Sequence, residues 1–532
     1  MRRHLARFIA VGGALLLALG CARRDGGARD VLRISQRNEP ATLDPQLASL
    51  PDEFFIIRAL SEGLLAPAPD GGGPRPAVAA RWQVSPDGRT YTFELRPDAH
   101  WSDGEPVTAA DFVYSIRRVL SPKLAAPKAS LFFPLRNAAA YYQGRVPDFA
   151  AVGARALDAR RLELTLEQPV ADFPAMVASG PWIPVERATI ERFGRIDERA
   201  TGWARPGRFV GNGPFLLGAW RPGGEIVVTR NPRYHDAARV HLREIRFVAF
   251  DNGDAEERAF RAGQLDVTMA VPFGKLDGYR QAQPAVLHTV PLFETRYLAL
   301  NTRRPPLDRA EVRRALALAL DRRELVDKVL RGGQEPAYSF VPPGLGGYQP
   351  AETIAENREE ARRLLRAAGF PDGRGFPRLE MTTWVGNPAL EAIQATWRRE
   401  LGIEVALVQR EARTHLAALV AGNYDLALAT LIPDFNGASD AFTQLTTGNP
   451  GNYPHWSSAG YDQLVGDAGG AGPAEMRLAD YRHAEKLLLD EAPVIPLYFN
   501  AQNYLQQPRV RHWRADRLWT RFYRDVEVGP GP

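Results

Sequence analysis

The chain has 532 residues, 45% of them hydrophobic and 24% charged, with a formal net charge of +5 and one cysteine. At about 100 to 200 residues per domain this length predicts roughly two to four globular domains or lobes, and a single cysteine excludes intrachain disulfides and Cys-rich metal centres. The arginines are scattered among acids and form no basic stripe, so no nucleic-acid partner is expected.

At the N-terminus, Arg2, Arg3 and Arg7 precede an apolar run from Phe8 to Leu19, and Leu17-Ala18-Leu19-Gly20-Cys21 closes it with small residues. The run falls short of the about 20 apolar residues that a membrane-spanning helix needs, and its basic flank reads as an export signal. It resembles a bacterial lipoprotein signal, which implies that Cys21 receives lipid and becomes the mature N-terminus. Without residues 1–20 the chain holds 64 lysines and arginines against 62 acids and is nearly neutral. The polar, Gly-rich residues 22–30 suit a tether, and order is expected from Val31.

Val31 to Ser35 reads as a first strand and Phe54 to Leu65 as a helix ending in the turn-rich stretch Pro67 to Pro76. Thr90 to Leu95 alternates with period two, as a half-buried strand does. Thr108 and Asp111 form a capping-box start, after which Phe112, Val113, Ile116, Val119 and Leu120 make one apolar helical stripe. Further strands are predicted at Asp158 to Leu166 and Glu225 to Arg230. From about residue 300 helices and strands alternate. Asp308 with Glu311, Asp321 with Glu324 and Asn357 with Glu360 are read as helix starts, the second helix stopping at Gly332-Gly333 and the third at Gly369. Strands follow at Leu379 to Thr383, Ile403 to Val408, Tyr424 to Ala429 and Val494 to Phe499. That rhythm predicts an α/β lobe with a largely parallel sheet.

Catalytic patterns are missing from the sequence. The nine histidines show no H-E-x-x-H spacing, and neither a G-x-S-x-G elbow nor a Walker A loop occurs. Gly211-Asn212-Gly213-Pro214 lacks the Lys-Ser/Thr of a phosphate loop and reads as a backbone turn. The pairs Glu256-Glu257 and Glu359-Glu360 read as solvated helix surface. No catalytic residue, metal or cofactor is therefore expected, and composition and periodicity leave the function open.

Three strings carry a family resemblance: Leu60-Ser61-Glu62-Gly63-Leu64, then Trp101-Ser102-Asp103-Gly104-Glu105-Pro106-Val107-Thr108-Ala109-Ala110-Asp111-Phe112-Val113, then Asn301 to Pro306 leading into Val312-Arg313-Arg314-Ala315-Leu316. In order and spacing they are similar to the oligopeptide-binding proteins of ABC importers, the family 5 extracellular solute-binding proteins, from about Val31 almost to the C-terminus. The resemblance implies a two-lobed α/β periplasmic-binding-protein-like fold of type II with an extra inserted domain. Lobe I would combine residues 31–60, 189–293 and 501–532, the inserted domain 61–188, and lobe II 294–500. It further implies a monomer anchored by lipid in the cell envelope, which captures a peptide and passes it to a membrane permease.

In that family the ligand lies extended and pairs its backbone with protein strands. The resemblance assigns backbone pairing to Thr430 and Ile432, a facing position in lobe I to Leu50, a ligand contact to Asn436, and the carboxylate that receives the ligand's α-ammonium to Asp434. Where other members carry basic residues for the ligand carboxylate, this chain has Leu330, Leu419 and Leu428, with Arg410 or Arg413 as possible substitutes nearby. A murein peptide, a sugar, a nickel chelate or haem remain alternative ligands on the same fold, and an envelope enzyme or assembly factor is the alternative of another class.

Overall fold

A computed structural model describes residues 30–351, 354–470 and 472–530. The predicted export signal, Cys21 and most of the predicted tether lie outside the described residues. Three sheets organise the chain. In the first, Val31–Gln36 runs parallel to Glu244–Ala249, which is followed by the antiparallel strands Glu225–Arg230 and Phe215–Arg221. The second is antiparallel, with Ala79–Val84, Thr90–Leu95, Arg161–Thr165 and Ala154–Ala156 side by side. The third has six strands in the order Glu335–Pro336, Val494–Leu505, Leu287–Leu300, Leu426–Leu431, Leu379–Thr383 and Val405–Gln409.

This third sheet is mixed, which corrects the largely parallel expectation. Leu379–Thr383 is parallel to both Val405–Gln409 and Leu426–Leu431, as their crossover helices require, but the other three pairings are antiparallel. The antiparallel part rests on two long strands. Leu287–Leu300 has 14 residues and Val494–Leu505 has 12, and they pair from Leu287 opposite Leu505 to Ala299 opposite Val494. At about 3.4 Å per residue the longer one spans roughly 45 Å, enough to run from one body of the molecule into the next. Its register breaks between Pro291 and Thr295 and again between Arg296 and Tyr297. Bridges from Val267 to Ile34 and to Gln506 join the far end of this ribbon to the first sheet.

The second sheet and its helices enclose a separate aromatic core. Phe132 stacks on Trp182 with ring centroids 4.1 Å apart, and Phe173 meets Trp182 edge-on at 5.6 Å. The capping box at Thr108 and Asp111 is present and starts the helix Ala109–Val119, whose apolar stripe enters this core. That helix also carries Arg118, buried to 1% exposure, which forks onto the Asp44 carboxylate at 3.1 and 2.6 Å and reaches Gln46 at 2.7 Å. A buried pair of this geometry ties the inserted sheet to the segment before Pro51.

Local departures from the sequence reading have physical causes. The helix expected over Phe54 to Leu65 is Pro51–Leu60, because Asn212 takes both main-chain groups of Glu62, accepting from its N–H and donating to its carbonyl, each at 2.9 Å. Gly211 and Gly213 lie so close to Leu60 and Ser61 that a Cβ on Gly213 would sit 2.5 Å from the Leu60 carbonyl carbon. The helix read from Asp308 begins after Arg309, whose guanidinium pairs with Glu311. Asp321 does cap Arg322–Glu324, but the helix widens into a π-turn over Leu325–Leu330 and ends on a left-handed Arg331 before the two glycines. Glu256 and Glu257 are buried, not solvated. Glu256 is held by Ser35 and the Met269 N–H, and Glu257 by Lys275 and Tyr279, each at 2.7 Å.

Candidate functional site

Leu426–Leu431 is positioned by Asn301, whose Nδ2 donates to the Gly422 and Tyr424 carbonyls at 2.8 and 2.9 Å. The Asn301 N–H donates to the Asp425 carbonyl, so main-chain groups at Asp425 face the long ribbon. Along a strand these groups alternate sides with period two. Those of Leu426, Leu428 and Thr430 therefore face the other edge, and Ile432 follows directly after the strand. Leu426 and Ala427 are covered there by Met381 and Thr382, and the Leu428 carbonyl accepts from His415 Nε2 at 2.9 Å. Burial lowers the His415 pKa and favours the neutral ring that this bond uses. Past Leu428 the edge is open: no strand among the described residues pairs with Thr430 or Ile432 on that side.

Groups that the sequence reading missed support this edge. Glu294, 1% exposed at the register break, accepts from Thr430 Oγ1 at 3.2 Å, Trp519 Nε1 at 3.0 Å and Arg296 Nε at 2.8 Å. The Arg296 guanidinium lies 5.2 Å from the Trp384 ring centroid, and Trp384 lies 5.2 Å from the His415 ring. Charge at alternate positions of a predominantly apolar strand, Glu294 and Arg296, was the available signal.

Asp434 follows the strand and does not stand free. Its carboxylate accepts from Lys128 Nζ of the body built around the second sheet at 2.7 Å, and its N–H donates to Asp440 at 2.6 Å. Burial opposes the Lys128 charge, but the Asp434 carboxylate prevails and raises that pKa. Burial first, and then the Asp434 charge, raises the Asp440 pKa. Asn436 bridges the same two bodies, accepting from the Gly346 N–H at 2.9 Å and donating to the Gly71 carbonyl at 3.0 Å. Between these residues Phe435 inserts into the aromatic core of the second sheet, and Ser439 Oγ donates to Asp172 at 2.7 Å. Nothing in the sequence around Lys128 marks it.

Leu50 lies in the segment pinned by Arg118 and is 51% exposed. Its N–H donates to Glu53 at 3.1 Å and its carbonyl accepts from the Glu53 N–H at 3.1 Å, so its backbone serves the helix Pro51–Leu60 and its apolar side chain is what it offers. The leucines expected in place of carboxylate-binding cations are core residues: Leu330 is 4% exposed, Leu419 3% and Leu428 0%. They do not line an open pocket, because apolar side chains there pack inward. Arg410 is paired with Glu380 at 2.5 Å, and Arg413 is exposed on the helix Ala412–Ala421.

Residues 73–453 match the family model described as bacterial extracellular solute-binding proteins, family 5 Middle. The chain is 33% identical over 483 residues to the periplasmic murein peptide-binding protein MppA of Escherichia coli, covering 89% of this chain and 88% of the relative. It is 30% identical over 484 residues to the periplasmic oligopeptide-binding protein OppA of the same organism, covering 89% and 88%. The solved structure of Escherichia coli MppA superposes with a TM-score of 0.85 at 30% identity, over 94% of this chain and 99% of that one. The unliganded open form of MppA gives a TM-score of 0.75 over 94% and 98%. The fold is that of the two-lobed type II periplasmic binding proteins, and the chain belongs to the bacterial extracellular solute-binding proteins of family 5.

Proposed function

We propose that this protein captures peptides in the bacterial cell envelope and delivers them to an ABC permease, held at the membrane through lipid on Cys21. The observation that carries the reading is the open strand edge at Thr430 and Ile432. A peptide added there satisfies main-chain donors and acceptors whatever its side chains, which gives affinity without sequence selection. Its amino end lies toward Asp434 and Asn436, and Leu50 covers it from lobe I. Closure is a hinge motion about the ribbon of Leu287–Leu300 and Val494–Leu505, at the register breaks near Pro291 and Arg296. Family membership and the names of the peptide-binding relatives support the same reading.

A murein peptide is the more specific ligand class suggested by the name of the relative MppA. Mass spectrometry of small molecules released from the purified protein by denaturation tests both. Linear peptides of varied sequence are expected, D-amino acids and diaminopimelate would identify the murein class, and a non-peptide as the sole bound species would refute the proposal. The anchor is tested separately: Cys21→Ser should move the protein from the membrane fraction to the soluble one with its melting temperature unchanged.

A further inference from the structure

We infer that Lys128 supplies from within the chain the ammonium that Asp434 needs, so that the ligands selected at this end of the cleft are peptides whose amino group is acylated or otherwise uncharged. The inference rests on the proposed site. It is carried by the contact itself: Lys128 Nζ lies 2.7 Å from Asp434 Oδ2, with the two side chains 28% and 24% exposed. A lysine ammonium is the same chemical group as a peptide's α-ammonium, a compact cation with three donors, whereas arginine presents a planar fork. The chain has 62 arginines and five lysines, yet the cation on Asp434 is a lysine.

The surrounding acids do not restore a demand for a second cation. Asp440 is 8% exposed and uses its carboxylate on the Asp434 N–H, while burial and the Asp434 charge favour its protonated form. Asp172 is engaged by Ser439 through its hydroxyl at 2.7 Å and its N–H at 3.4 Å. A ligand ammonium entering here would have to displace Lys128 or be desolvated beside it, and like charges in a closed site repel. An amide-blocked amino end carries neither cost. The same ion pair joins the inserted domain to lobe II, so this part of closure proceeds without a ligand charge.

The test offers the protein a random tripeptide pool, half of it N-acetylated, and reads the retained species by native mass spectrometry. Wild type should retain acetylated tripeptides at least as well as free ones. Lys128→Met should swing retention toward the free amine by about tenfold or more, the scale expected when one charge-assisted contact is exchanged. Lys128→Gln, which removes the charge but keeps a donor on a slightly shorter side chain, should shift it in the same direction, and circular dichroism establishes that each variant is folded. A wild type that prefers free amines as strongly as the Lys128 variants would overturn the inference while leaving peptide capture intact. Retention of neither form by any of the three proteins would overturn peptide capture, and the inference with it.

Discussion

The Trp101 to Val113 string and the 428–440 segment divide the work of this molecule between them. The string is what makes the family recognisable, and its residues serve the fold: Trp101 is 1% exposed, Gly104 takes a left-handed turn at φ +110°, and Ser102 is bonded through its N–H to Gly211 and through its carbonyl to Arg233. The 428–440 segment carries an open strand edge, a bridging Asn436 and an ion pair with a residue some 300 positions away in the chain. Motif strength and the proposed ligand chemistry lie in different places. The string's contacts here hold the fold, whereas the segment's contacts are made by single side chains brought together by tertiary structure.

If that division holds, substitutions near the string should lower stability, and those in the segment should alter closure and selectivity. The largest loss is expected at Asp44→Ala. It leaves the Arg118 guanidinium buried without its carboxylate, and breaking such a pair costs about 3 to 5 kcal/mol. Denaturant unfolding should show a lower midpoint; an unchanged midpoint would mean that the pair holds nothing together. Phe435→Ala comes next. Its ring is 3% exposed inside another body's core, and truncating such a ring costs about 3 kcal/mol or more. Because that cost falls on closure, small-angle scattering should show a larger radius of gyration, with the far-ultraviolet circular dichroism unaltered.

Glu485 gives a pH-dependent test. Burial pushes its pKa up to about 7, against the opposing bonds from Tyr348 and the Phe340 and Val341 N–H groups. A carboxyl raised in the folded state favours that state when protonated. Its contribution is therefore complete below the ordinary carboxyl range and is lost as pH rises through about 7, by roughly 3 kcal/mol in all. Glu485→Gln should flatten the stability profile between about pH 4.5 and 7. The smallest effect is expected at Asp111→Ala, which removes half of a capping box and costs about 1 kcal/mol.

Periodicity located several elements well. Thr90–Leu95, Glu225–Arg230 and Leu379–Thr383 coincide with their predicted strands, and Asn357 caps its helix as expected. It failed where distant residues decide, as at Ser61, where the Asn212 clasp ends a helix whose apolar pattern continues. The largely parallel reading failed for a related reason: the βα rhythm reports on crossover connections and says nothing of two long strands that close the sheet antiparallel. At the site, alignment to the family led to the Thr430 edge but not to Lys128, since a lone lysine on a turn has no local signature. The leucines at 330, 419 and 428 are buried in two apolar clusters, Leu330 and Leu428 in one and Leu419 in the other, so what the structure shows of them is packing.

The central claim is that a ligand pairs its main chain with the open edge after Leu428. Amide hydrogen exchange at Thr430 and Ile432, resolved by NMR with and without a bound tripeptide, tests it most directly. Both amides should exchange freely in the unbound protein and become protected on binding, while those of Ala429 and Leu431, already turned toward the long ribbon, change little. Protection that leaves Thr430 and Ile432 unchanged in a demonstrably ligand-bound protein would contradict the account.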